Sequence, residues 1–153
     1  MLTDEERNEI MKEIALYPNK RAACISALKI VQRHRGWVSD EIRDIAPLLE
    51  MTPAELDGVA TFFSHIYTRP VGKHVIFICD SISCWVTGYD TLRDHILKRL
   101  GIKPGETSED GQFTLLPVAC LGICEYAPAM MVDETLYTGL TPEKIDDILR
   151  KYE

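Results

Sequence analysis

Five cysteines stand in this 153-residue chain, and four of them fall into two pairs, Cys79-Asp-Ser-Ile-Ser-Cys84 and Cys120-Leu-Gly-Ile-Cys124, with thirty-five residues between the pairs. Thiolates are soft ligands, and four together select zinc or an iron–sulfur cluster. Zinc ribbons favour tight Cys-x-x-Cys pairs that offer two sulfurs to one small ion. The wider gaps here, four and three residues, suit a larger, flat two-iron core, and the four cysteines are read as a [2Fe–2S] site. A zinc-stabilised interaction module using the same thiolates stands as the alternative from another class.

Two disulfides would also use four cysteines, but these belong to oxidising compartments. The N-terminal stretch Met1-Leu-Thr-Asp-Glu-Glu-Arg-Asn8 is acidic and polar, unlike a signal peptide. A cytoplasmic, reducing setting is therefore expected, and the odd cysteine, Cys24, fits it as a buried structural thiol on an apolar helical stripe. The four histidines form no helical pair and are read as surface or capping residues.

Something must carry the two pairs to one point. Each follows an apolar, strand-like run, His74-Val-Ile-Phe-Ile78 and Phe113-Thr-Leu-Leu-Pro-Val-Ala119, so each pair is expected in a loop at the same end of a sheet. A helix is expected at Tyr89–Leu100, short strands at Met130–Val132 and Leu136-Tyr137, and a last helix from Thr141-Pro-Glu143. The order β-α-β-β-β-α describes a small α/β sandwich with helices on a mixed sheet.

The first seventy residues read as helices. Thr3-Asp-Glu-Glu6 and Thr52-Pro-Ala-Glu55 are capping boxes, the second with proline at the first helical position. Between them a second helix is expected over about Arg21 to Arg35, with Cys24, Ala27, Leu28 and Val31 as its buried stripe and Gly36 after its last turn. Ser39 is expected to cap a third helix with Ile42, Ile45, Ala46 and Leu49 inward, and Phe63 is expected on the apolar stripe of the fourth. The fold class expected is α+β, a four-helix bundle over 1–70 followed by an α/β domain over 71–153, with a hinge at Arg69-Pro-Val-Gly72.

Composition excludes several roles. The net charge is −7, which opposes nucleic-acid binding. Nine basic and eleven acidic residues lie in 1–70 against eight and thirteen in 71–153, so the cysteine-bearing half is the more acidic. No apolar run approaches the ~20 residues a membrane helix needs, so any membrane association is expected to be indirect. Neither a glycine-rich dinucleotide fingerprint nor a nucleophile–base arrangement is present.

With the cysteine pairs, Gly88, Leu121-Gly122, Ala127-Pro128, Gly58-Val-Ala-Thr-Phe-Phe63, Ala27-Leu-Lys-Ile-Val31 and Gly36-Trp-Val38 together, the sequence from about Arg21 onward resembles a family of respiratory subunits. These are the E subunits of bacterial NADH–quinone oxidoreductases, the 24-kDa-type [2Fe–2S] subunits of respiratory complex I. The resemblance implies a thioredoxin-like ferredoxin domain holding one [2Fe–2S] cluster through Cys79, Cys84, Cys120 and Cys124. It implies a flavoprotein partner that binds NADH and FMN, further peripheral-arm subunits, and a place on the cytoplasmic face of the inner membrane. The chain would be an electron carrier without catalytic residues of its own. The equivalent small subunit of a soluble NAD-dependent hydrogenase or formate dehydrogenase is the rival within redox chemistry.

Overall fold

A computed structural model describes residues 1–153, which divide into two compact units, Met1–Pro70 and Val71–Glu153. The first unit is helical: α1 Asp4–Ile14, α2 Cys24–Arg35, α3 Ile42–Ile45 and α4 Pro53–Phe62, with 3₁₀ turns at Lys20–Ala23 and Ala46–Leu49. Both capping boxes form. Thr3 Oγ1 accepts the Glu6 N–H at 3.2 Å while the Glu6 carboxylate accepts the Thr3 N–H at 2.7 Å, and Thr52 and Glu55 repeat the exchange at α4. Gly36 ends α2 in the left-handed region at φ +85°, which a Cβ would penalise.

Four sequence expectations change here. α2 begins at Cys24, not near Arg21, because residues 20–23 form a 3₁₀ turn. α3 is a single turn, since Pro47 has no N–H to continue the ladder and the chain tightens into the 3₁₀ turn. Ser39 does not cap it with its side chain; the Ile42 N–H bonds the Ser39 carbonyl instead, at 3.1 Å. The expected inward residues Ile42, Ile45, Ala46 and Leu49 are nonetheless buried, and they join Ile10, Leu28, Val31 and Leu56 in one core. Phe63 lies outside it, 40% exposed and edge-to-face with Phe62 at 5.1 Å.

Arg35 locks this unit at a place where no apolar contact could. Its guanidinium donates to both oxygens of Glu6 at 2.5 and 2.6 Å, to Glu41 Oε1 at 2.6 Å and to the Met1 carbonyl at 3.0 Å. Glu6 is 1% exposed. A carboxylate so buried remains charged only with a bidentate partner.

The second unit is a four-stranded sheet in the order β2-β1-β3-β4, made of β1 His74–Cys79, β2 Phe113–Val118, β3 Ala129–Val132 and β4 Thr135–Thr138. β1 pairs in parallel with β2 and antiparallel to β3, and β3 pairs antiparallel to β4. Helices α5 Ile82–Val86 and α6 Tyr89–Leu100 cross from β1 to β2, and α7 Pro142–Leu149 closes the chain. β1 is central and five of its six residues are buried, as its unbroken apolar run requires. Ile76 and Ile78 pack with Leu92 and Ile96 of α6, Leu115 of β2 and Ile145 and Leu149 of α7. The Asp133 carboxylate accepts the Val75 N–H at 2.9 Å and meets His74 Nδ1 at 2.7 Å, tying the β3–β4 turn to the start of β1.

The Glu6–Arg35 pair gives the fold a pH dependence of known sign. The Arg35 bonds outweigh burial and hold the Glu6 carboxyl down at about 2, against 4.5 for a free glutamate. A depressed carboxyl stabilises the fold above its unfolded value and ceases to as pH falls through its folded value. Glu6→Gln should therefore cost roughly 3–4 kcal/mol at pH 7, at about 1.4 kcal/mol for each unit of depression. The deficit should shrink steadily between pH 5 and pH 2. Urea unfolding followed by helical circular dichroism at several pH values reads this difference, and a deficit independent of pH would contradict the assignment.

Candidate iron–sulfur site

Parallel pairing of β1 with β2 sets the site. The two strands run in step, with Cys79 opposite Val118, so both chains leave the sheet at the same edge, and the Asp80 N–H extends the ladder to the Val118 carbonyl at 3.0 Å. The two cysteine segments follow at once. Cys79 is the last residue of β1 itself, and Cys84 lies in α5, a five-residue helix standing where the sequence suggests a loop. Gly88, at φ +116°, then turns the chain into α6. On the other side Cys120 lies two residues past β2, Gly122 adopts φ +77°, and Cys124 opens a 3₁₀ turn, Cys124–Tyr126, before the cis Ala127–Pro128 bond and β3.

The sulfurs gather as two pairs. Cys79 and Cys84 are buried at 3% and 1% exposure, in one cluster with Ala129, and Tyr89, Val118, Leu121, Ile123 and Ala127 pack around them. Cys120 and Cys124 are exposed, with Sγ atoms 3.7 Å apart. That separation is far beyond the ~2.05 Å of a disulfide. It matches the ~3.8 Å edge expected for two thiolates on one tetrahedral metal with ~2.3 Å bonds. All five cysteines are free thiols. Pairwise gathering of the cysteines suits a two-iron core, which takes two protein ligands at each iron.

Donors surround the sulfurs. The Gly122 N–H points at Cys120 Sγ at 3.2 Å, and the Ser81 hydroxyl lies 3.3 Å from Cys79 Sγ. Burial pushes the Cys79 thiol up, but bonds from the Ser81 hydroxyl and from the Ser81 and Leu121 backbone N–H groups outweigh it, so Cys79 ends below its ordinary value. Cys84 goes the other way. Burial raises it first and the neighbouring Cys79 second, and the Ala129 N–H and Ser81 only partly offset these. The Leu121 contact matters for geometry as well, because it lays the second cysteine segment against a sulfur of the first. Soft sulfur donors with N–H and O–H groups aimed at Cys79, Cys84 and Cys120 fit a group whose sulfurs carry added negative charge.

The other residues singled out from the sequence stand apart. Cys24 opens α2, half-buried against the helical core. His34, His74 and His95 bond Glu9, Asp133 and Asp146 at 2.9, 2.7 and 2.9 Å. Met130 is fully buried in the sheet core, and Trp37 is 36% exposed. From the sequence, Gly122 beside the second pair marks a backbone N–H near the sulfurs, and it lies on Cys120 Sγ; the Ser81, Leu121 and Ala129 donors are missed. A hydroxyl two residues after Cys79 is the visible signal for Ser81; the Leu121 and Ala129 N–H groups have none.

A family model described as thioredoxin-like [2Fe–2S] ferredoxin matches residues 10–153. The chain belongs to the thioredoxin-like [2Fe–2S] ferredoxin family. Within it, the E subunit of the NADH-quinone oxidoreductase of Escherichia coli strain K12 is 48% identical over 153 residues, covering 99% of this chain and 92% of that protein. The E subunits of Salmonella typhimurium and Pseudomonas aeruginosa are 49% and 44% identical over the same span. The likeness thus reaches into α1, beyond the Arg21 limit set by the sequence motifs. A crystal structure of an NAD⁺-reducing [NiFe]-hydrogenase superposes with a TM-score of 0.70 at 22% identity, covering 85% of this chain and 22% of that one. At that identity the likeness concerns the fold.

The unequal exposure of the two pairs predicts an order of reactivity in the metal-free, reduced chain. Under iodoacetamide at neutral pH, peptide mass spectrometry should find Cys120 and Cys124 alkylated first. Cys84, buried and with its thiol pushed up, should be last, since the thiolate is the nucleophile. Alkylation of Cys84 as early as Cys120 would contradict the described packing.

Proposed function

We propose that this chain is the electron-carrying 24-kDa-type subunit of a respiratory NADH–quinone oxidoreductase, with Cys79, Cys84, Cys120 and Cys124 as ligands of one [2Fe–2S] cluster. The observation that carries the reading is the arrival of two cysteine pairs at one sheet edge, in a chain aligned along 99% of its length with the E subunits of such complexes. Bound there, a [2Fe–2S] core supplies a one-electron site. The four thiolates fill its protein ligand positions and leave none for substrate, so the residues serve electron transfer and not bond chemistry. Cys79 and Cys84 hold the inner side away from water. Cys120 and Cys124, being exposed, mark the side from which a redox partner can approach.

The partner in this reading is the flavoprotein that binds NADH and FMN, together with other peripheral-arm subunits on the cytoplasmic face of the membrane. No helix of this chain is long and apolar enough to cross a membrane, which agrees with indirect attachment. Residues 1–70 serve as a docking four-helix bundle and 71–153 as the cluster-bearing domain; Phe62, 79% exposed at the end of α4, is an apolar group that a partner would cover.

A reconstitution tests the assignment. The purified, cluster-loaded chain should accept an electron from dithionite but consume no NADH. Mixed with the flavoprotein subunit, it should form a stoichiometric complex by size-exclusion chromatography, and that complex should oxidise NADH with an added acceptor. NADH oxidation by the isolated chain, or failure to form the complex, would overturn the reading.

A further inference from the structure

Ser81 occupies the N-cap position of α5, with the extended backbone (φ −65°, ψ 164°) of a helix-capping residue. There a serine hydroxyl ordinarily accepts the N–H of the second or third helical residue. Ser81 makes no such bond. Its carbonyl starts the helix by accepting the Trp85 N–H at 2.8 Å, while its Oγ faces Cys79 Sγ at 3.3 Å. A thiolate bears no proton, so with Cys79 ionised the hydroxyl is the donor. The strand end and the helix start thus fix both partners of one O–H···S contact, with the hydroxyl released from the role its position would give it.

We propose that Ser81 is a positioning residue that sets the reduction potential of the site, through the hydrogen bond from its hydroxyl to Cys79 Sγ. The inference rests on the [2Fe–2S] reading above. One electron added to the cluster increases the negative charge on its ligand sulfurs, and a donor on a sulfur stabilises that charge more in the reduced state than in the oxidised one. Ser81 therefore raises the potential and eases reduction. The other donors at the site, Gly122, Leu121 and Ala129, act through backbone N–H groups. Ser81 supplies a side-chain donor, so its contribution alone can be removed by substitution at the donor without changing a ligand.

The experiment is a redox titration of the full-length, cluster-loaded chain followed by EPR. Poised at the wild-type midpoint, Ser81→Ala should lower the ratio of reduced to oxidised cluster about tenfold, which is a fall of about 59 mV for one electron. Ser81→Gly removes the hydroxyl at little cost at an N-cap, and should give the same fall should the alanine variant load poorly. Ser81→Thr keeps the hydroxyl and should remain within twofold of wild type. An unchanged or higher potential in both Ala and Gly variants, or a fall in Thr equal to theirs, overturns the inference. A wild-type protein with no [2Fe–2S] signal would instead defeat the underlying reading.

Discussion

The parallel ladder between β1 and β2 is the constraint on which the site depends. Parallel strands need a crossover, and here α5 and α6 provide it; that path carries Cys84 out of the loop and into a helix beside the sheet edge. Because β1 and β2 run in step up to Cys79 and Val118, the two cysteine segments begin at the same level. A register shift of one residue would exchange the two buried faces of β1 and move Cys79 away from Ser81 and Leu121. The burial of Ile76, Phe77 and Ile78 in a central strand makes such a shift costly. The hydrophobic core thus fixes the position of the first sulfur.

Around that edge the chemistry is asymmetric. The inner pair is enclosed by Tyr89, Leu121, Ile123 and Ala127, whereas the outer pair faces solvent. Enclosure raises the cost of charge on the inner sulfurs; the Ser81 and Leu121 donors outweigh it at Cys79, whereas Ala129 and Ser81 offset only part of it at Cys84. Charge added at the site is therefore stabilised by short-range dipoles already in place, an arrangement that limits reorganisation when an electron arrives. The acidic balance of residues 71–153 acts against reduction, and screening weakens it with distance.

Much of this is legible in the sequence where local chemistry decides structure. The four cysteines, the capping boxes at Thr3–Glu6 and Thr52–Glu55, the turn at Gly36 and the apolar runs of β1 and β2 all announce themselves within a few residues. What escapes depends on partners distant in the chain. Ile82-Ser-Cys-Trp-Val86 is short and rich in residues that disfavour helix, so its helical form reflects the crossover it belongs to. Glu6 looks like a solvated capping residue, and its burial follows from Arg35, twenty-nine residues away. Phe63 fits an apolar helical spacing, yet it falls at the C-cap of α4, where the backbone turns extended and points it off the stripe. The strand order β2-β1-β3-β4 and the Leu121 N–H on Cys79 have no sequence signature at all.

The proposed role of the site requires that the two cysteine pairs at one sheet edge hold a two-iron core. Its most direct test is metal and sulfide analysis of the chain purified without oxygen, alongside the count of protected thiols. About two irons and two acid-labile sulfides per chain are expected, with Cys79, Cys84, Cys120 and Cys124 shielded from alkylation until the metal is removed, and the same content in Cys24→Ala. One zinc per chain with no labile sulfide, or loss of the iron in Cys24→Ala, would contradict it.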